Sequence, residues 1–369
     1  MRAGTYDEHV TLRVEEPGRP ASSPRRGRTL TATVVAAATL LVSGGVVVAL
    51  VNRGDGGRPA QSSTSSGSHT APAAADSTPD AAELRVQALQ ELLAARSQAV
   101  LDHDLTAWLA TVAPRSKAFR DKQSTVFGNL RSVPFSDWSY TFAGVATPPS
   151  ADRLRELGGP AWVARVQAGY RLKGYDLASS LTEQSLTMVE RHGRWYVAST
   201  SDGDTAPQPW DLGRVRVVHG QRVLALGTAS SSTLRDFARA GDRAVTRVTS
   251  VWGTSWSRRA VLVVPRSEKE MGRLLQRPSE GLSQIAAVTT GELADGDHGA
   301  ARSDRVVVNP DAFVRLGPSG RRVVLVHEMT HVAVRSSTTS PVPIWLSEGF
   351  ADYVGYQDVG LSRRTIAAD

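Results

Sequence analysis

The sequence of 369 residues contains no cysteine. This absence excludes a disulfide framework, an iron–sulfur cluster, a zinc site with cysteine ligands and a cysteine nucleophile. Lysine is also scarce, since only four of the 43 basic residues are lysines. No stretch carries five consecutive basic residues or interleaves basic with aromatic residues. We therefore expect no nucleic-acid partner, despite an isoelectric point near 10.0.

One long hydrophobic run stands near the N-terminus. Residues 29–52 carry no charged side chain, and about 20 apolar residues suffice to cross a bilayer as a helix. A cleaved signal peptide would need a shorter apolar core and a small-residue cleavage site. Arg25, Arg26 and Arg28 precede the run, so the positive-inside rule places residues 1–28 in the cytoplasm. The sequence thus predicts a single-pass cell-membrane protein whose later domains are extracellular.

The rest of the chain divides by composition and periodicity. Residues 53–80 lack large apolar side chains and are predicted to be a disordered linker. Residues 81–203 begin with helical periodicity and continue with strand patterns that end in a hairpin at His192. Their order resembles the cystatin-like, or nuclear-transport-factor-2-like, α+β fold. Residues 204–214 are predicted to be a linker, and residues 215–369 form the last predicted domain.

The strongest chemical motif is HEMTH, from His327 to His331. A helix is predicted to begin near Pro318, with Ser319 as a candidate N-cap. Residues four apart share a helix face, so two imidazoles and one carboxylate could hold zinc with one position left open. Glu328 lies about 100° round the helix and could reach a water molecule there. The alternative is a helix with two satisfied histidines and a surface glutamate.

A second helical segment, IWLSEGFADYVGY, supplies further carboxylates. Glu348 could be a third ligand, and Asp352, one turn later, could accept the free N–H of a ligating histidine. A solvent-exposed acidic face is the alternative, but Trp345, Leu346 and Phe350 beside Glu348 predict burial.

HEMTH followed by WLSEGFADY resembles the gluzincin zinc metallopeptidases, specifically a peptidase MA-like domain. The resemblance is close over about residues 305–356 and loose over 215–369. It implies His327, His331 and Glu348 as ligands of one zinc ion, Glu328 as general base and Asp352 as the partner of a histidine. It also implies that the strand before the active-site helix, in residues 305–310, forms the edge that pairs with substrate.

Two features depart from the family pattern. Sixteen residues separate His331 from Glu348, fewer than in the aminopeptidases, and 21 residues follow Glu348 where gluzincins usually continue into a helical subdomain. A minimal domain and a truncated chain both fit. Tyr353 and Tyr356 are the downstream candidates for stabilising an oxyanion.

The predicted fold class is α+β. It comprises an N-terminal transmembrane helix, a cone-like domain of helices and antiparallel sheet, and a zincin-like domain with the active-site helix. The predicted function is a membrane-anchored bacterial zinc peptidase acting on a peptide or protein substrate. The alternative is a non-catalytic cell-surface binding protein with a structural or vestigial metal site.

Overall fold

The computed structural model describes residues 80–291, 303–338 and 342–357, together with residues 359, 360, 362 and 364. The helices in this part of the chain are α1 (Ala81–Leu101), α2 (Leu105–Ala110), α3 (Lys117–Leu130), α4 (Ala151–Leu157), α5 (Pro209–Leu212), α6 (Ser231–Trp252), α7 (Glu268–Leu274), α8 (Pro310–Phe313), α9 (Pro318–Ser337) and α10 (Ile344–Tyr356). The strands are β1 (Phe135–Val145), β2 (Ala161–Leu172), β3 (Ser180–Arg191), β4 (Arg194–Ser199), β5 (Arg216–His219), β6 (Val223–Gly227), β7 (Ala260–Val263), β8 (Ala287–Thr290) and β9 (Arg305–Val308).

The first sheet follows the predicted pattern of long antiparallel strands, in the order β1-β2-β3-β4. The predicted hairpin is confirmed, because Arg191 of β3 pairs with Arg194 of β4. His192 and Gly193 form the two-residue turn with φ angles of 53° and 76°. Positive φ at both turn residues matches the right-handed twist of the strands that the turn connects.

The second sheet has the order β5-β6-β7-β9-β8. Strands β6, β7 and β9 are parallel, whereas β5 and β8 are antiparallel edge strands. Every residue of β6, β7 and β9 is buried. Parallel strands covered on both faces have nearly unbroken apolar sequences, which explains the VLALG and AVLV segments.

Both faces of the second sheet are covered by different parts of the chain. Val223 and Leu262 point into a cluster with residues of α6 and α9. Leu224 and Val263 point into another cluster that also contains Trp138 of β1 and residues of α2 and α3. The two sheets, one in each predicted domain, therefore share a hydrophobic core.

The predicted linker over residues 204–214 belongs to this shared core. It contains α5, and its Trp210 is buried beside Trp138. Asn129 of α3 donates from Nδ2 to the carbonyl oxygens of Trp210 and Gly213, and its Oδ1 accepts from the backbone N–H of Val215. The buried side-chain amide of Asn129 thus holds the chain segment that connects the first sheet to the second.

A buried ion pair joins the same two parts of the chain. Arg305 of β9 donates from Nη1 and Nη2 to the two carboxylate oxygens of Asp176, over 2.6 and 2.7 Å. Burial alone would lower the pKa of Arg305, but Tyr170 and Asp176 raise it above its usual value. The guanidinium is therefore charged, and Asp176 supplies its opposite charge in the interior.

The predicted fold class is wrong in its first element. None of the helices in the described residues is both long and apolar enough to cross a membrane. The three longest, α1, α6 and α9, each carry four or more charged residues, and their apolar faces are buried against protein instead. Residues 29–52, on which the prediction rested, lie outside the described residues.

We expect Asp176→Asn to lower the free energy of unfolding by about 3–5 kcal/mol, because it leaves the Arg305 charge buried without its partner. Urea unfolding followed by circular dichroism measures this loss. Asp121→Asn is the matched control, because Asp121 pairs with Lys117 on an exposed surface and should change stability little. Equal stability of Asp176→Asn and wild type would contradict a structural role for the pair.

Candidate metal centre

Helix α9 carries the motif residues in the interior of the protein. Gly317 is its N-cap, with Pro318 at the first helical position, so the predicted capping by Ser319 is wrong. All twelve residues from 323 to 334 are buried, because α9 contacts α6, α10, β8 and β9. A helix that is apolar on most sides is buried on most sides. The motif side chains are therefore held in fixed surroundings.

The two histidines of the motif point to one place. Nε2 of His327 and Nε2 of His331 lie 3.1 Å apart, and each side chain is at most 2% exposed. The spacing of four residues puts both rings on one face, as the sequence predicts.

Helix α10 runs antiparallel to α9 and supplies the third group. Gly355 lies next to Val323 and His327, whereas Glu348 lies between His327 and His331. Oε2 of Glu348 is 3.3 Å from Nε2 of His327 and 3.5 Å from Nε2 of His331. Among the described residues, these three side chains are the one group of histidine and acidic residues whose geometry could hold a metal ion.

The dimensions of this group fit a tetrahedral zinc ion. Its three ligand atoms are separated by 3.1, 3.3 and 3.5 Å. Ligand atoms about 2.0–2.1 Å from a tetrahedral zinc ion lie about 3.3–3.4 Å from one another. Two imidazole nitrogens and one carboxylate oxygen are also donors that zinc accepts in catalytic sites.

Each histidine has a second contact that orients its ring. Oδ1 of Asp352 lies 2.9 Å from Nδ1 of His327, as the sequence predicts. Oγ of Ser347 lies 3.2 Å from Nδ1 of His331. A histidine that donates from Nδ1 keeps the lone pair of Nε2 for a metal. Ser347 was not among the predicted site residues. It directly precedes Glu348, and its spacing of four residues from Ala351 places both on one face of α10, which is buried at Ala351.

Glu328 has one fixed oxygen and one without a hydrogen bond. The side chain is 1% exposed, and its Oε2 accepts a hydrogen bond from Thr289 Oγ1 over 2.6 Å. No hydrogen-bond partner for Oε1 exists among the described residues. Buried polar atoms are rarely left unsatisfied, so this oxygen is suited to bind a water molecule or a substrate group.

Thr289 lies on β8, a strand that was not predicted from the sequence. That strand has four residues and no long alternating pattern, so its three β-branched residues, Val288, Thr289 and Thr290, were its only β signal.

The ionisation of His327 depends on its carboxylate neighbours. Burial acts to lower the pKa of its imidazole, but hydrogen bonds to Asp352 and Glu348 and the charge of Glu328 outweigh burial. The net effect raises the pKa to about 10 in the metal-free protein. Binding of a metal ion at Nε2 of His327 therefore requires this imidazole to lose a proton at neutral pH.

The C-terminal half of α9 is fastened to the second sheet near the site. Arg335 donates from Nε to Oδ2 of Asp304 over 3.1 Å and from Nη2 to the carbonyl oxygen of Gly291 over 3.0 Å. Gly291 follows β8 and Asp304 precedes β9. This contact fixes the distance between the motif helix and the strand that carries Thr289.

Several expectations about the surroundings of the site are wrong. Trp345 and Leu346 are 72% and 46% exposed, because the first turn of α10 extends past its buried contacts. Phe350 is half-buried and contacts Trp252. Tyr353 is 59% exposed and lies about 140° round the helix from Glu348, and its candidate role in stabilising an oxyanion stays a prediction.

The predicted edge strand is also wrong. Residues 305–308 form β9, which has β7 on one side and β8 on the other. A strand with neighbours on both sides cannot pair with a substrate. In the described residues, β8 is the edge of the sheet at this end.

Comparisons with known proteins give no family for this chain. No family model and no curated protein matches it. A similar solved structure is that of a single-residue variant of Rv3472, a protein of unknown function from Mycobacterium tuberculosis. The two chains are 12% identical over 31% of this chain and 68% of the other, with a TM-score of 0.22.

Proposed function

We propose that this protein is a zinc-dependent peptidase in which His327, His331 and Glu348 hold the metal ion and Glu328 is the general base. The observation that carries the proposal is the buried Glu328 carboxylate, with Oε2 bound by Thr289 and Oε1 open. A structural metal site has four protein ligands and no use for a base. Here three ligand residues come together, which is the number that catalytic zinc sites provide.

Glu328 and Thr289 would have different roles in peptide hydrolysis. When bound, zinc would polarise the carbonyl group of the scissile bond and acidify a water molecule. Glu328 would take a proton from that water at Oε1 as the water oxygen attacks the carbonyl carbon. The same oxygen would deliver the proton to the leaving nitrogen as the carbon–nitrogen bond breaks. Thr289 would hold the carboxylate in the orientation for both transfers.

Strand β8 lies beside the proposed base. It is the edge strand of the described sheet, and its Thr289 contacts Glu328 directly. Ala287, Val288 and Thr289 are at most 4% exposed, so this edge is covered along those residues and does not take over the substrate-pairing role expected for residues 305–310. The cell-surface location was expected from residues 29–52 and the arginines before them, which are outside the described residues, and it stays a prediction.

Replacing the base should separate catalysis from metal binding. We expect Glu328→Gln to keep about one zinc ion per chain and to lose activity by a factor of about 10²–10⁴. His331→Ala should lose the metal as well as the activity. Elemental analysis after dialysis against a mild chelator, together with cleavage of a peptide library, measures both properties. Full activity of Glu328→Gln would exclude Glu328 as the base, and zinc-free wild type would exclude the metal site.

Thr289→Val tests the orientation of the base without touching a ligand. The substitution removes the hydroxyl group that donates to Glu328 and keeps the shape of the side chain. We expect kcat to fall about tenfold, as for the loss of one hydrogen bond to a charged group, with KM and zinc content unchanged. Thr290→Val, on the next residue of β8, is the control. An equal effect of both substitutions on kcat would indicate a general disturbance of the strand.

The affinity for zinc should rise with pH. The folded-state pKa of His327, about 10, exceeds the ordinary histidine value of 6.5. Protonation therefore stabilises the metal-free protein fully below about pH 6.5, and this stabilisation disappears as the pH rises through 10. Because zinc must displace this proton, its apparent affinity should increase about tenfold per pH unit from pH 7 to 9.

Competition with a chromogenic chelator measures that slope. Asp352→Asn removes the negative charge beside His327 and should flatten the upper part of the pH profile. A wild-type affinity that does not change between pH 7 and 9 would show that His327 binds no proton there.

A further inference from the structure

Helix α10 exposes a large amount of apolar surface next to the candidate metal centre. Four large apolar side chains on its thirteen residues are at least 46% exposed, namely Ile344, Trp345, Leu346 and Tyr353. The other exposed side chains of this kind in the described residues are spread over α1, α2, β1 and loops. Exposed aromatic surface of this size is typical of a binding site.

These four residues fall on two faces of α10. Ile344 and Trp345 precede Glu348 by four and three residues, so both lie within about 60° of it round the helix axis. Leu346 and Tyr353 lie about 140–160° away from Glu348, on the outer face. The rise along the axis from Glu348 is about 4.5 Å to Trp345 and about 6 Å to Ile344. One exposed apolar pair is therefore continuous with the metal-binding face, and the other is not.

Access to the metal-binding group is open on the same side. The side chains of His327 and His331 are at most 2% exposed, whereas those of Glu348 and Asp352 are 26% and 49% exposed. Asp352 lies about 40° from Glu348 in the direction of Trp345. A molecule that approaches the group from solvent thus passes the Glu348 side of α10, where Trp345 is located.

We propose that Ile344 and Trp345 form an apolar subsite that binds a large apolar side chain of the substrate beside the bond that is cleaved. The inference rests on the proposed peptidase function and names its substrate class. Those substrates are peptides with an aromatic or large aliphatic residue next to the scissile bond. An indole ring on one helix turn and a branched aliphatic side chain beside it provide flat apolar surface, which removes such a side chain from water.

Two zinc-binding probes test the subsite at equilibrium, without turnover. N-acetylphenylalanine hydroxamate and N-acetylglycine hydroxamate share the chelating group and differ in the side chain. We expect zinc-loaded wild type to bind the phenylalanine probe at least about tenfold more tightly by isothermal titration calorimetry. Trp345→Ala should reduce this ratio to about one while the affinity for the glycine probe stays unchanged.

Leu346→Ala is the matched control, because Leu346 is exposed and apolar on the adjacent position but faces away from Glu348. It should keep the wild-type ratio. Ile344→Ala should reduce the ratio by a smaller factor than Trp345→Ala. Cleavage of peptides that carry phenylalanine or alanine beside the scissile bond should follow the same order in kcat/KM.

The outcomes distinguish the subsite from the proposed function. Equal affinity of both probes for zinc-loaded wild type would overturn the subsite alone. Absence of zinc, or of binding by either probe, would overturn the peptidase proposal and the subsite with it. A wild-type dimer in sedimentation that dissociates equally in Trp345→Ala and Leu346→Ala would instead identify this helix as a contact between two copies, and would also overturn the subsite.

Discussion

The site depends on one constraint, which is the burial of three ionisable side chains on a single helix. His327, Glu328 and His331 are each at most 2% exposed, and a charge in such a place must be matched by charges or hydrogen bonds from neighbouring elements. Helix α10 contacts the two histidines through Glu348, Asp352 and Ser347. Strand β8 contacts Glu328 through the hydroxyl group of Thr289. The positions of α10 and β8 against α9 are therefore set by electrostatics as well as by apolar packing.

The second sheet makes that burial possible. Its apolar strands are covered by α6 and α9 on one face and by residues of α2, α3 and the first sheet on the other. The Arg305–Asp176 pair and Asn129 add polar contacts across the same boundary. Since β8 and β9 contribute to both clusters, the first sheet supports the strand whose Thr289 contacts Glu328. The residues from 81 to 203 thus contribute to the site through packing, whatever else they bind.

The parts of the site that the sequence predicts are those determined by spacing along one helix. The shared face of His327 and His331 and the position of Asp352 one turn after Glu348 follow from 3.6 residues per turn. The parts that it does not predict come from contacts between elements. Thr289 lies on a strand of only four residues. Trp210 belongs to a segment predicted to be a linker, yet it is buried in the core, whereas Trp345 belongs to an apolar segment and is exposed. Local composition cannot distinguish the buried tryptophan from the exposed one, because the burial of a side chain depends on which other elements of the fold pack against it.

The two carboxylate oxygens of Glu328 differ in their hydrogen bonding, and this difference is the main physical support for the proposed catalytic role. If the carboxylate served stability alone, both oxygens would be expected to have donors, because an unsatisfied buried oxygen costs about 1–3 kcal/mol or more when charged. Only Oε2 has one in the described residues. The open oxygen belongs to a side chain next to His327, whose Nε2 is part of the metal-binding group. An open carboxylate oxygen beside a set of three metal-binding side chains is suited to accept a proton from a water molecule bound there, which is the role proposed for Glu328.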